Sequence, residues 1–200
     1  MTVEAIAAQV EGLVREVEAG TSAEVIVVVA GSSGSYGQPL GWLAAGVSLV
    51  ATGFFCWSPW VFDDRWIPLD VVAVTGLVVA AVAVNAQARA FLAGSSARRR
   101  AVALAADAAF WQEAAHATRG RTGVLVYVSV LEGMVLVRAD TAIQVAVPAD
   151  RWNAAVGAVS SGSITQFGPN MRALGALLAA SLPRAADDVN ESPDAARVRR

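Results

Sequence analysis

The spacing of apolar residues changes several times along the chain. Val3, Ile6, Val10, Leu13 and Val17 recur every three or four positions, which makes one face of an amphipathic helix. Thr2 suits the N-cap, Glu11 and Arg15 form a favourable i,i+4 pair, and Gly20 can stop the helix. Glu24–Ala30 (EVIVVVA) is apolar on both faces and mostly β-branched, the pattern of a central strand covered on both sides. A Gly/Ser loop over 31–39 then leads into two long apolar runs. Residues 40–62 carry no charge, and residues 67–84 carry only Asp70. At 1.5 Å per helical residue the first run can cross a hydrocarbon core of roughly 30 Å, and the second is just adequate. Asp63, Asp64, Arg65 and Trp66 alone separate them, so the pattern predicts a transmembrane hairpin.

Beyond the hairpin, residues 97–118 read as an alanine-rich helix and 122–130 (TGVLVYVSV) as a second buried strand. Glu132-Gly133 makes a turn, and Met134–Ala139 returns as the hairpin partner. A short helix over 151–159 carries Trp152, and 162–168 is loop. Pro169 suits a first helical turn, so 170–182 is a further helix, too short in its apolar stretch to span a membrane. This order predicts an α/β layer fold with the hairpin inserted after the first strand. Two crossings return the chain to its starting side. Residues 1–39 and 86–183 can therefore make one discontinuous domain, with 40–62 and 67–85 as the spans and 184–200 as a polar tail.

A mean hydropathy of +0.51 fits a chain that is part membrane and part globular. The net charge of -2 does not suggest a nucleic-acid surface. The single cysteine, Cys56, lies in the first apolar run, which excludes an intrachain disulfide and a cysteine metal site. The amphipathic, acidic start does not read as a signal peptide. Arg89 and Arg98–Arg100 follow the second span, whereas the hairpin turn offers Arg65 beside two aspartates. The positive-inside rule then places both soluble halves in the cytoplasm. Trp42, Trp57, Trp60 and Trp66 fall near the span ends, where indoles favour the interface. Ala44, Ser48 and Thr52, with Gly76 and Ala80, are spaced to let helices approach; they suit packing of the two spans or a homodimer seam. Asp70 sits about one turn from Trp66 and reads as a solvated boundary residue.

The segments TSAEVIVVVAGSSGSY (21–36), RTGVLVYVSVLEGMVLVRADTAI (121–143) with Trp152 beyond, and DDVNESPD (187–194) resemble the TPM-domain family. More narrowly they are similar to its bacterial membrane-protein branch, in which a transmembrane pair interrupts the domain. The tail has Ser192 where the family pattern has a leucine. The resemblance implies a TPM-like α/β/α sandwich with an inserted two-helix hairpin in the bacterial inner membrane. Members outside this branch are linked to photosystem II repair, to modulation of a neurotransmitter receptor and to an acid-phosphatase activity. It carries no catalytic residue onto this sequence.

Two functional classes follow. One is a binding or assembly module whose partners are the bilayer and other membrane proteins or a second copy. The other is a phosphatase, which needs a nucleophile or metal-bound water and cations for the phosphate oxygens. The cysteine is in the membrane run, the only histidine, His116, has no Arg-His-Gly context, and there is no Asp-x-Asp motif. A metal-dependent version would recruit the scattered acids Asp140, Asp187 and Asp188, whose oxygens suit Mg²⁺ or Ca²⁺. No other cofactor is indicated. His116 reads as a helix-end residue, and Arg119 and Arg121 as cover for the helix end or an anion contact. Asp140 ends a strand, where α/β ligands often bind.

Overall fold

The computed structural model describes residues 3–60, 62–113, 115–116, 118, 120–161, 164–184 and 196–199. Thr2 therefore lies outside the described residues. In chain order the elements are α1 (Val3–Glu18), β1 (Glu24–Ala30), α2 (Pro39–Trp57), α3 (Ile67–Ala83), α4 (Ala86–Gln112), β2 (Gly123–Ser129), β3 (Met134–Ala139), α5 (Thr141–Ala146), α6 (Ala149–Ser161), α7 (Ile164–Ser181) and β4 (Arg197–Arg199). They fall into two compact units, Met1–Ser33 with Arg99–Arg200, and Gly34–Arg98.

The first unit is built on a mixed sheet of order β3-β2-β1-β4. β1 pairs in parallel with β2 and β4, and β2 pairs antiparallel with β3. Every residue of β1 and β2 is buried. That is why these strands lack the alternation of a half-solvated sheet: both faces are covered. Val25, Val27, Val29, Val124, Val126 and Val128 share a core with Val10, Val14 and Val17 of α1, Ile143 of α5, Val159 of α6 and Met171, Leu174 and Leu178 of α7. Ile26, Val28, Ala30, Leu125 and Tyr127 form a second core with Val102, Ala106 and Ala109 of α4. The small α4 side chains bring the helix close to the sheet. Asp107 accepts from Arg138 of β3 at 2.6 Å, and Glu113 accepts from Arg197 and Arg199 of β4. The stretch that covers this face is thus pinned to both outer strands.

Four segments differ from the sequence reading. The fourth helix starts at Ala86 and ends at Gln112, not over 97–118, and it passes through Gly94 at φ +80°, a backbone that glycine adopts freely. α5 is too short to show a period. α7 begins at Ile164 and carries Pro169 in its interior, so part of 162–168 is helix and not loop. Phe167 packs on the core and Asn170 Nδ2 donates to Ala158 O at 2.8 Å, contacts that offset the backbone bond the proline lacks. Finally, Arg197–Arg199 add a strand to the sheet within a stretch that reads as polar tail.

The second unit contains α2 and α3, which pack on each other and share a hydrogen bond between Ser48 Oγ and Thr75 Oγ1 at 3.0 Å. This involves Ser48 in packing the two helices together. Ala51 is the only buried residue of α2, and α3 has none. α2, with 19 residues, is long and apolar enough to cross a membrane. α3 has 17 residues, about 26 Å of helix. It gives a second candidate only when counted with α4 as one bent pair. Asp70 lies in the first turn of α3, where a carboxylate complements the helix dipole.

Candidate functional site at the carboxyl ends of the parallel strands

β1 and β2 are parallel and in register from Glu24↔Gly123 to Ala30↔Ser129, so their carboxyl ends lie together. Polar groups gather there beside an otherwise apolar core. Ser33 N–H donates to Glu132 Oε1 at 3.0 Å, and Ser129 Oγ donates to Glu132 Oε2. Ser33 Oγ lies 2.7 Å from Ser129 Oγ and 3.2 Å from Tyr127 OH. Proton accounting fixes the direction of this chain. A carboxylate only accepts, so the Ser129 proton is spent on Glu132; Ser129 then accepts from Ser33, and Ser33 from Tyr127. Tyr127, Ser129 and Glu132 are 2%, 1% and 6% exposed. The backbone reinforces the junction: Val130 N–H donates to Ala30 O at 2.9 Å and Leu131 N–H to Gly31 O at 3.0 Å. With Tyr127, Ser129 and Glu132 buried and Ser33 half-buried, the cluster fastens the exit of β1 to the β2–β3 turn. It fixes the point at which the chain leaves the sheet.

Asp140 ends β3, as the sequence indicates, but β3 is antiparallel to β2. Its end therefore lies beside the amino ends of β1 and β2, away from the edge where α/β ligands gather. Asp140 caps α5: Oδ1 accepts from Thr141 N–H at 2.6 Å and Thr141 Oγ1 at 3.2 Å. Oδ2 accepts from Arg121 Nε at 3.3 Å. Arg121 sits at φ +54°, and its carbonyl accepts from Ala142 N–H at 3.2 Å. Both Asp140 oxygens are thus engaged, one in a cap and one in a clamp. Asp187, Asp188 and Arg119 lie outside the described residues. Among the described residues no three His, Cys, Asp or Glu side chains group to hold a metal ion. His116 lies beyond the end of α4, its ring 4.4 Å from Trp111 and 6.4 Å from Phe110.

Ser33, Tyr127, Ser129 and Glu132 had no weight in the sequence reading. One local signal was available: Tyr127 and Ser129 put hydroxyls two residues apart on one face of an otherwise apolar strand.

Two acids feel opposing influences. Burial alone would raise the Asp140 carboxyl; the Thr141 N–H and the Arg121 guanidinium outweigh it and hold the group below the ordinary aspartate value. Burial likewise pushes Glu113 up, and Arg199 and Arg197 bring it below the ordinary glutamate value. A carboxyl lowered in the folded state contributes stability above its unfolded pKa and loses it as pH falls through the folded pKa. The expected result is a melting temperature that declines below about pH 4.5. A variant with Glu113→Gln and Asp140→Asn should melt lower than wild type at pH 7, and the gap should close in acid. Thermal melts across pH in detergent check this.

No family model matches the chain, and no curated protein matches it in sequence. The fold is TPM-like through a structural match. The similarity is to the NMR structure of the BA42 protein from the psychrophilic bacterium Bizionia argentinensis, with a TM-score of 0.55 over 99% of this chain and 94% of that one. At 17% sequence identity this likeness establishes the fold alone.

Proposed function

We propose that the chain is a TPM-like α/β/α domain of the bacterial membrane-protein type, anchored by an inserted transmembrane hairpin. Both termini face the cytoplasm, and the domain acts as a binding or assembly module beside other membrane proteins. The observation that carries this reading is the outward surface of α2 and α3. Trp42, Leu49, Val50, Val72 and Leu77 are each at least two-thirds exposed, and almost nothing in either helix is buried. Apolar surface on this scale is unfavourable in water and suits lipid. On the folded domain, Leu104 and Trp111 lie seven residues apart on one side of α4 and are also exposed, which suits contact with a partner.

Membrane fractionation tests the anchor, and crosslinking tests the module. The protein is expected to stay with membranes through an alkaline carbonate wash. A photoreactive residue at Leu104 should then give a discrete adduct with another membrane protein. Release by carbonate would contradict the anchor. Metal-stimulated phosphatase turnover lost in Asp140→Ala would contradict the non-enzymatic reading.

A further inference from the structure

β4 is three residues long, yet it carries an unusual set of contacts. It pairs with the carboxyl end of β1, Val28↔Arg197 to Ala30↔Arg199, and Gly31 N–H donates to Arg199 O at 3.0 Å. Arg197 and Arg199 point to the α4 face of the sheet and share one carboxylate. Glu113 Oε2 accepts from Arg197 Nη1, and Glu113 Oε1 accepts from Arg199 Nη2. Arg197 Nη1 also donates to the Glu113 carbonyl at 3.3 Å. Glu113 directly follows α4, its N–H still bonded to Ala109 O at 2.9 Å, so the negative end of the helix dipole adds to the carboxylate. Val198, between the arginines, is 41% exposed and gains little from packing. Toward its amino end the β1 edge is closed by other means, since Val25 N–H donates to Glu18 Oε1 at 2.8 Å.

This is the chemistry of a strand-reading slot. The backbone ladder accepts any extended segment, and specificity comes from side chains at alternate positions. Here the alternate positions meet a single acid at a helix end, which selects arginine at i and i+2. A three-residue pairing is short, and an extended partner segment carrying the same two arginines can replace it. We infer that the β1 edge with Glu113 is a docking site for an extended Arg-x-Arg segment of a partner protein. The chain's own Arg197–Arg199 fills it as an internal competitor. The inference rests on the binding-module reading only in taking the occupant to be another protein; the slot itself needs no membrane.

The test uses the full chain in detergent with Arg197→Glu and Arg199→Glu, which repels the internal strand from Glu113. A fluorescent peptide with the sequence of residues 193–200 is the probe, and polarisation reads binding. The peptide is expected to bind this variant at least about tenfold more tightly than wild type, whose slot is filled. Adding Glu113→Gln should weaken binding about tenfold, and a peptide with alanine in place of both arginines should lose it. A receptor with Glu113→Arg, Arg197→Glu and Arg199→Glu restores the internal pair with charges exchanged. Its melt should return toward wild type, and it should reject the arginine peptide. No binding to the emptied slot, with a melt that shows the variant folded, overturns the inference. So does binding that ignores Glu113 or the arginines. Carbonate release in fractionation would end the anchor reading and leave this one standing.

Discussion

Gly123→Ala is expected to destabilise the α/β unit strongly. A Cβ at Gly123 would lie 1.8 Å from Ala115 O and 2.8 Å from Ala115 C. Both atoms are backbone, so no rotamer change relieves the clash. Neither side can easily retreat. Gly123 is paired with Glu24 of β1, and its carbonyl accepts from Asp140 N–H at 2.9 Å. Ala115 is held by its N–H to Phe110 O at 3.2 Å and is fully buried. Overpacking of this kind costs about 3 kcal/mol or more, a large part of a typical stability of roughly 5–15 kcal/mol. Chemical denaturation checks it. Gly157→Ala is the control, because nothing lies within 4 Å of a Cβ there and the position is an exposed helix interior. It should be neutral or stabilise by up to about 1 kcal/mol.

Glu132→Ala is expected to be the next most damaging change. It removes both acceptors of the latch at the β1 exit and leaves Ser33 N–H and the Ser129 hydroxyl without their partner. A donor stranded in a buried site costs about 1–3 kcal/mol and the half-buried Ser33 N–H costs less, so a loss of about 2–4 kcal/mol is expected. Glu132→Gln keeps one acceptor and should cost about half as much. Because the latch fixes the departure of the chain from the sheet, protease cleavage within 31–38 should rise alongside the lost stability. A loss of stability with no change in cleavage there would show that the cluster does not hold the exit.

The central strands were legible because their burial is written locally. Glu24–Ala30 and Gly123–Ser129 are runs of apolar, largely β-branched residues, and burial on both faces is the reason they do not alternate. Arg197–Arg199 was not legible, because Arg-Val-Arg has no apolar pattern. Its strand state comes from pairing with β1 and from Glu113, 84 residues earlier. Pro169 misled for a related reason: the local rule puts proline at a helix start, and tertiary contacts at Phe167 and Asn170 override it. The candidate site joins Ser33 to residues 96 and 99 positions away, a distance no motif spans. Asp140 was read as a strand end and a metal-ligand candidate, and the structure makes it a helix cap. A local signal for the cap was present and unused, since Asp is among the preferred residues just before a helix start.

Cysteine accessibility tests most directly whether the hairpin crosses the membrane twice and returns the chain to one compartment. In a Cys56→Ser background, single cysteines are placed by Asp64→Cys in the turn between α2 and α3 and by Asp150→Cys on α6. A membrane-impermeant maleimide should label the Asp64 position in intact cells and the Asp150 position only after lysis. Equal labelling of the two positions in intact cells would contradict the hairpin.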